Sequence, residues 1–173
     1  MPASHKLNSQ FNKDHILQAF PKLANDPSFK VDSPINPDYN CIAWAGKRWR
    51  VNWWPYKSDF KLDGASYEWP FGLLRDNTIK SFIALFEHLG YNLHPSTSTF
   101  ESGFIKIALF AELDPSGKTP LLDRITSHAG RQLSSGLWTS KLGEGFDIIH
   151  SNPYDLESTE YGDLVYILKQ KFS

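Results

Sequence analysis

The sequence predicts an α+β domain in which helices from the N-terminal half pack on an antiparallel β-sheet from the C-terminal half. Three observations carry that expectation. Apolar residues recur at helical spacing in 14–24, 41–50 and 78–88. Beyond residue 103 the pattern changes to short runs of β-branched and aromatic residues separated by Gly, Pro, Ser and Asp. Helices first and strands second is the order of an α+β fold, not of alternating βαβ units. At 173 residues the chain is one domain over 1–173, long enough to bury roughly 70% of the surface its unfolded form exposes. The polar start, 1–13, is expected to be flexible.

The elements follow in chain order. Residues 14–24 carry Ile16, Leu17, Phe20 and Leu23 on one face, with Asp14 as N-cap and Pro21 as a break. Residues 25–40 hold Pro27, Pro34 and Pro37 among Asp and Asn, and read as a loop. A helix over 41–50 follows Asn40, whose side chain can accept from the first-turn amides. Residues 53–70 form a loop rich in Trp, Tyr and Pro. The helix to His88 starts at Asn77 or Thr78 and is stopped by Gly90. Strands are expected over 103–111, 125–133, 137–142, 146–150 and 162–169, with a tight hairpin at Ser134, Ser135 and Gly136.

Composition narrows the function. Lys and Arg total 18 against 19 Asp and Glu, a net charge of −1 that lacks the footprint of a general nucleic-acid binder. One cysteine makes neither an intramolecular disulfide nor a four-thiolate zinc site. The N-terminus is no signal peptide and no run approaches a membrane span, so a cytoplasmic protein with no membrane partner is expected. The glycine-containing runs match neither P-loop nor dinucleotide spacing, and no cofactor is expected.

Chemistry gathers at Cys41 and His128. A cysteine opening a helix faces unsatisfied amides and the positive end of the dipole, which favour a thiolate. His128 lies mid-strand, on the side shared with Thr126 and Gly130, and takes the thiol proton if that face meets the Cys41 helix. A third polar group to orient the imidazole is offered by Thr139, Ser140 or Asp147. Cys41, His128, Asp147 and His150 are all permissible zinc ligands, but none is spaced as a ligand pair, and no metal site is expected. Five of the six tryptophans, Trp44, Trp49, Trp53, Trp54 and Trp69, lie within 26 residues of each other. On one helix Trp44 and Trp49 diverge by about 140° and cannot share a core strip. Trp53, Trp54 and Trp69 either line a groove or pin the loop as a mini-core around Pro55 and Pro70, the reading the sequence favours. With Asn40 and Trp44 they form the substrate wall beside Cys41.

The segments YNCIAWAG (39–46), WWP (53–55), YEWP (67–70), FIALFEHLGY (82–91) and SHAGRQLSSGLWTSKLGEGFDIIH (127–150) resemble a family of uncharacterised bacterial proteins. The similarity covers roughly 34–169, within a core of 31–171. The order of the motifs is also similar to the papain-like superfamily, especially its NlpC-type amidases and endopeptidases. That resemblance implies a papain-like fold, with Cys41 as nucleophile, His128 as base and Ser140, Thr139 or Asp147 as orienter. The sequence departs from it in having NCIAW around the cysteine and Thr-Ser at the third position. The function expected is a cysteine hydrolase of a peptide, amide or ester, with amides near the helix start holding the oxyanion. The alternative is an inactive interaction domain of the same fold, with the Trp-rich loop as its surface.

Overall fold

The computed structural model describes residues 7–92, 96–143 and 145–171. Its centre is a six-stranded sheet in the order β1-β8-β7-β6-β5-β9, antiparallel at every described pair. The strands are β1 (Lys30–Ser33), β5 (Phe104–Ala111), β6 (Thr126–Gln132), β7 (Trp138–Lys141), β8 (Asp147–His150) and β9 (Asp163–Lys171). Five of these fall where the alternation predicts. The sixth, β1, comes from the N-terminal half, so the sheet is not purely C-terminal. Its short KVDS run adds to the edge beside β8, with Val31 opposite Ile148.

Each face of the sheet carries its own core. On one side lie α2 (Cys41–Ala45) and α3 (Ile79–His88), whose Ile42, Phe82, Leu85 and Phe86 meet Ile107, Leu109 and Ala129. The apolar stripe of α3 drives that packing, each buried Phe or Leu contributing about 1.5–3 kcal/mol. Thr78 is its N-cap residue, and Gly90 (φ 97°) lies just past its end, as the sequence predicts. On the other side α1 (Gln10–Ala19) and a 3₁₀ turn (Pro21–Asn25) set Ile16, Phe20 and Leu23 against Ala108, Phe110, Trp138 and Ile148.

Several local expectations need correction. The first helix begins earlier, capped by Ser9 Oγ, which accepts from the Asn12 amide at 3.2 Å. Residues 10–13 are therefore helical; 1–6 lie outside the described residues. The helix expected over 41–50 ends at Ala45, because Gly46 and Lys47 close it: the Lys47 amide donates to Trp44 O at 3.0 Å and the Arg48 amide to Ala43 O at 2.8 Å. The Trp-rich loop holds a second sheet, β2 (Asn52–Trp53), β3 (Phe60–Leu62) and β4 (Ala65–Glu68), in the order β2-β4-β3. The β3–β4 turn is Asp63-Gly64, both at positive φ (49° and 84°), the conformation of a two-residue type I′ hairpin.

Candidate functional site

Cys41 opens α2 as expected. Asn40 caps it, its Oδ1 accepting from the amides of Ala43 and Trp53, each at 3.1 Å, while Nδ2 donates to Trp53 O at 2.9 Å. Asn40 is thus a clamp between α2 and β2. The Cys41 thiol is buried, and burial pushes it up to about 11. The amides of Ala129, Ile42 and Cys41 itself and the Lys141 ammonium pull the other way without overcoming that cost. At neutral pH the thiol is protonated.

The sheet does not bring the four expected catalytic side chains together. Helix α2 covers the face of β6 that carries Ala129, and strand alternation sends His128 to the other face. There its ring stacks on Tyr161 (4.1 Å, 5°) and lies 5.2 Å from Phe110. Among the described residues neither ring nitrogen of His128 has a hydrogen-bond partner, so none joins it to Cys41. Burial, and then the nearby His150, hold it well below its ordinary value as a neutral imidazole. The two sides remain in electrostatic reach: after burial, Cys41 is the next cause of the raised Tyr161 phenol.

Ser140 shares the His128 face, but its Oγ pairs with His150 Nε2 at 3.0 Å. His150 Nδ1 lies 3.1 Å from Asn152 O, which can only accept, so Nδ1 carries the proton and Nε2 accepts from the Ser140 hydroxyl. Gly130 makes room for that serine: a Cβ there would stand 2.9 Å from Ser140 Oγ. Asp147 lies on the Cys41 face, where Tyr39 donates its hydroxyl to Oδ2 at 2.6 Å. Lys141, its cross-strand partner, is fully buried, donates to Gly145 O and places Nζ 4.9 Å from the Tyr39 ring centre. Burial raises the Asp147 carboxyl, opposed by Tyr39 and Lys141. Thr139 faces the same side and accepts from Trp44 Nε1 at 3.0 Å. Among the described residues no three His, Cys, Asp or Glu side chains gather to hold a metal ion.

The tryptophans of the expected substrate wall divide. Trp53 and Trp69 are core, each 3% exposed, and Trp54 packs edge-on against Phe82 at 5.3 Å. Trp44 is half-buried between Tyr39 and the Arg131 guanidinium. Trp49, 57% exposed, stands in the loop that follows α2. With Lys47, Arg48, Arg50 and Val51 it lines a cavity of about 560 Å³. Sequence reasoning missed this site, although its signal is plain: three cations around a tryptophan in the run KRWR. It also missed Tyr39 and Tyr161, whose roles depend on which strands meet.

These features define a small α+β domain with polar groups buried on both faces of one sheet and a basic, tryptophan-bearing cleft outside it. The chain belongs to the family DUF7689, a domain of unknown function, whose model matches residues 30–169. No curated protein and no solved structure matches the chain. No helix among the described residues is long and apolar enough to cross a membrane.

Proposed function

We propose that this chain is a non-catalytic binding domain that receives an anionic ligand in the cleft formed by 47–51. One observation carries the reading: the cavity is lined by Lys47, Arg48, Trp49, Arg50 and Val51, with no carboxylate among them. Three cations lining one cavity next to an exposed indole are a recognition surface for an anion. The order Cys41, His128, Ser140 keeps that of papain-like hydrolases and supports a papain-like descent. In this reading the cysteine packs the start of α2, while the neighbouring loop binds.

Two measurements test it. Cys41 is the only cysteine, so alkylation by iodoacetamide across a pH series reports this thiol alone. The expected result is slow modification with an apparent pKa far above 8.5, unchanged in His128→Gln. A pKa below 8.5 that rises in His128→Gln overturns the reading in favour of the hydrolase. Calorimetric titration with pyrophosphate is expected to show binding that survives Cys41→Ser and is lost in the triple variant Lys47→Gln, Arg48→Gln, Arg50→Gln.

A further inference from the structure

We infer that the ligand of this cleft is a small molecule in which a planar ring carries phosphate, of nucleotide type, with its ring on Trp49 and its phosphate among Lys47, Arg48 and Arg50. The inference rests on the binding reading above and names the ligand class. Four observations point to it.

The first is the indole. Among the described residues Trp49 makes no ring contact and no hydrogen bond, and more than half of it is exposed. A flat ring left open beside cations offers a stacking face for a base.

The second is the disposition of the cations. Arg48 is held by its own loop, donating to Gly46 O at 3.1 Å and lying 5.7 Å from the Trp53 ring centre. That fixes one guanidinium at the wall of the cleft. Arg50 makes no hydrogen bond or ion pair with any described residue, and also lines the neighbouring cleft that contains Asp38. Burial and then the Arg131 guanidinium disfavour the Lys47 ammonium. Three cations thus share one cavity wall.

The third is strain. Lys47 sits at φ 62°, the position after a helix where glycine is usual. A side chain in that left-handed conformation costs about 1 kcal/mol or more, and such residues gather at functional sites. What lysine adds at that cost is a cation on the cavity wall.

The fourth is size. About 560 Å³ lies within the range of small-molecule sites, roughly 300–1,000 Å³. The net charge of −1 gives the chain no long-range pull on a polyanion, which favours a compact phosphate over a nucleic-acid strand.

Calorimetric titrations of the full chain with AMP, adenosine, pyrophosphate and the oligonucleotide dT10 test the inference. AMP is expected to bind at least about tenfold more tightly than adenosine and than pyrophosphate. Trp49→Ala should weaken AMP by about tenfold while leaving pyrophosphate unchanged, and Arg50→Gln should weaken both. Both side chains are exposed, and circular dichroism of each variant checks that it folds. AMP no tighter than pyrophosphate overturns the ring while the anion-binding reading survives. Binding of dT10 with AMP silent overturns the small ligand. Binding of neither AMP nor pyrophosphate removes both readings.

Discussion

The two faces of the β6–β7–β8 segment solve the same problem in opposite ways. Both bury polar side chains completely. On the α2 face Lys141 and Asp147 are cross-strand partners, with Tyr39 donating to the carboxylate and Trp44 to Thr139. On the α1 face His128, Ser140 and His150 are held neutral, burial pushing both imidazoles down. A buried charge survives where a partner and hydrogen bonds replace water, and where they do not the group gives up its charge. Among the described residues, neither arrangement gives His128 a hydrogen bond to the Cys41 thiol.

The largest effect expected from breaking this comparison comes on the charged face. Lys141→Met removes the buried cation opposite Asp147 and leaves the carboxylate with Tyr39 as its donor. Loss of one member of such a set costs about 3–5 kcal/mol, read as a lower urea midpoint. Tyr39→Phe removes only the hydrogen bond and should cost about 1.5–3 kcal/mol. Equal, near-zero losses in both variants would mean that the face is wet and its charges solvated.

The two faces also differ in the sign of their pH dependence. His150 is depressed to about 4 by burial, so the unfolded chain takes up its proton first. Its contribution is intact above the unfolded value of about 6.5 and is lost as pH falls towards 4, on the order of 3 kcal/mol. Asp147 is raised, so its neutral form is the one the fold favours, and stability from it declines as pH rises through the folded value. His150→Gln should therefore reduce the loss of stability between pH 6.5 and 4, leaving the part that comes from His128, while Asp147→Asn should steepen that loss below the folded Asp147 value. Urea unfolding across that pH range separates the two, and a slope unchanged in His150→Gln sinks the account.

How much of this the sequence disclosed depends on the range of the interaction involved. The strands from Phe104 onward lie within a residue or two of their expected ends, because alternation and turn residues are local signals. Gly46 marks the end of α2 just as locally, and Asp63-Gly64 is a hairpin signature inside what reads as a loop. Strand β1 is harder, since four residues between prolines pair only because β8 offers an edge. The facing of His128 relative to Gly130 is fixed by the two-residue period. Which of the two faces α2 covers is decided by the packing of Ile42, Leu109 and Ala129, a tertiary contact with no local pattern. Cys41 and His128 were legible as chemistry, but their separation was not.

The Asn40 clamp joins the α2 face to the small sheet and gives the next smaller effect. Asn40→Ala removes an N-cap and two bonds to Trp53, for an expected loss of about 2 kcal/mol in thermal or urea unfolding. Asn40→Asp keeps the accepting oxygen but not the amide donor to Trp53 O, so it should recover part of that loss. If Asn40→Asp is no better than alanine, the cap is not what holds the start of α2.

The smallest effect sets the buried layer against the outer cleft most sharply, because stability and binding should move in opposite directions. Lys47→Gly relieves the left-handed strain at φ 62°. Part of the gain is offset by the greater freedom of glycine in the unfolded chain, leaving about 0.5–1 kcal/mol of net stabilisation. Removing the ammonium should weaken pyrophosphate binding at the same time. Substitutions in the buried layer that weaken binding should do so only by unfolding the domain. A Lys47→Gly protein that is more stable and binds as well as the parent would show that the lysine is strained for no purpose at this cleft. A protein that is more stable and binds less would place the cost and the function of that residue at the same atoms.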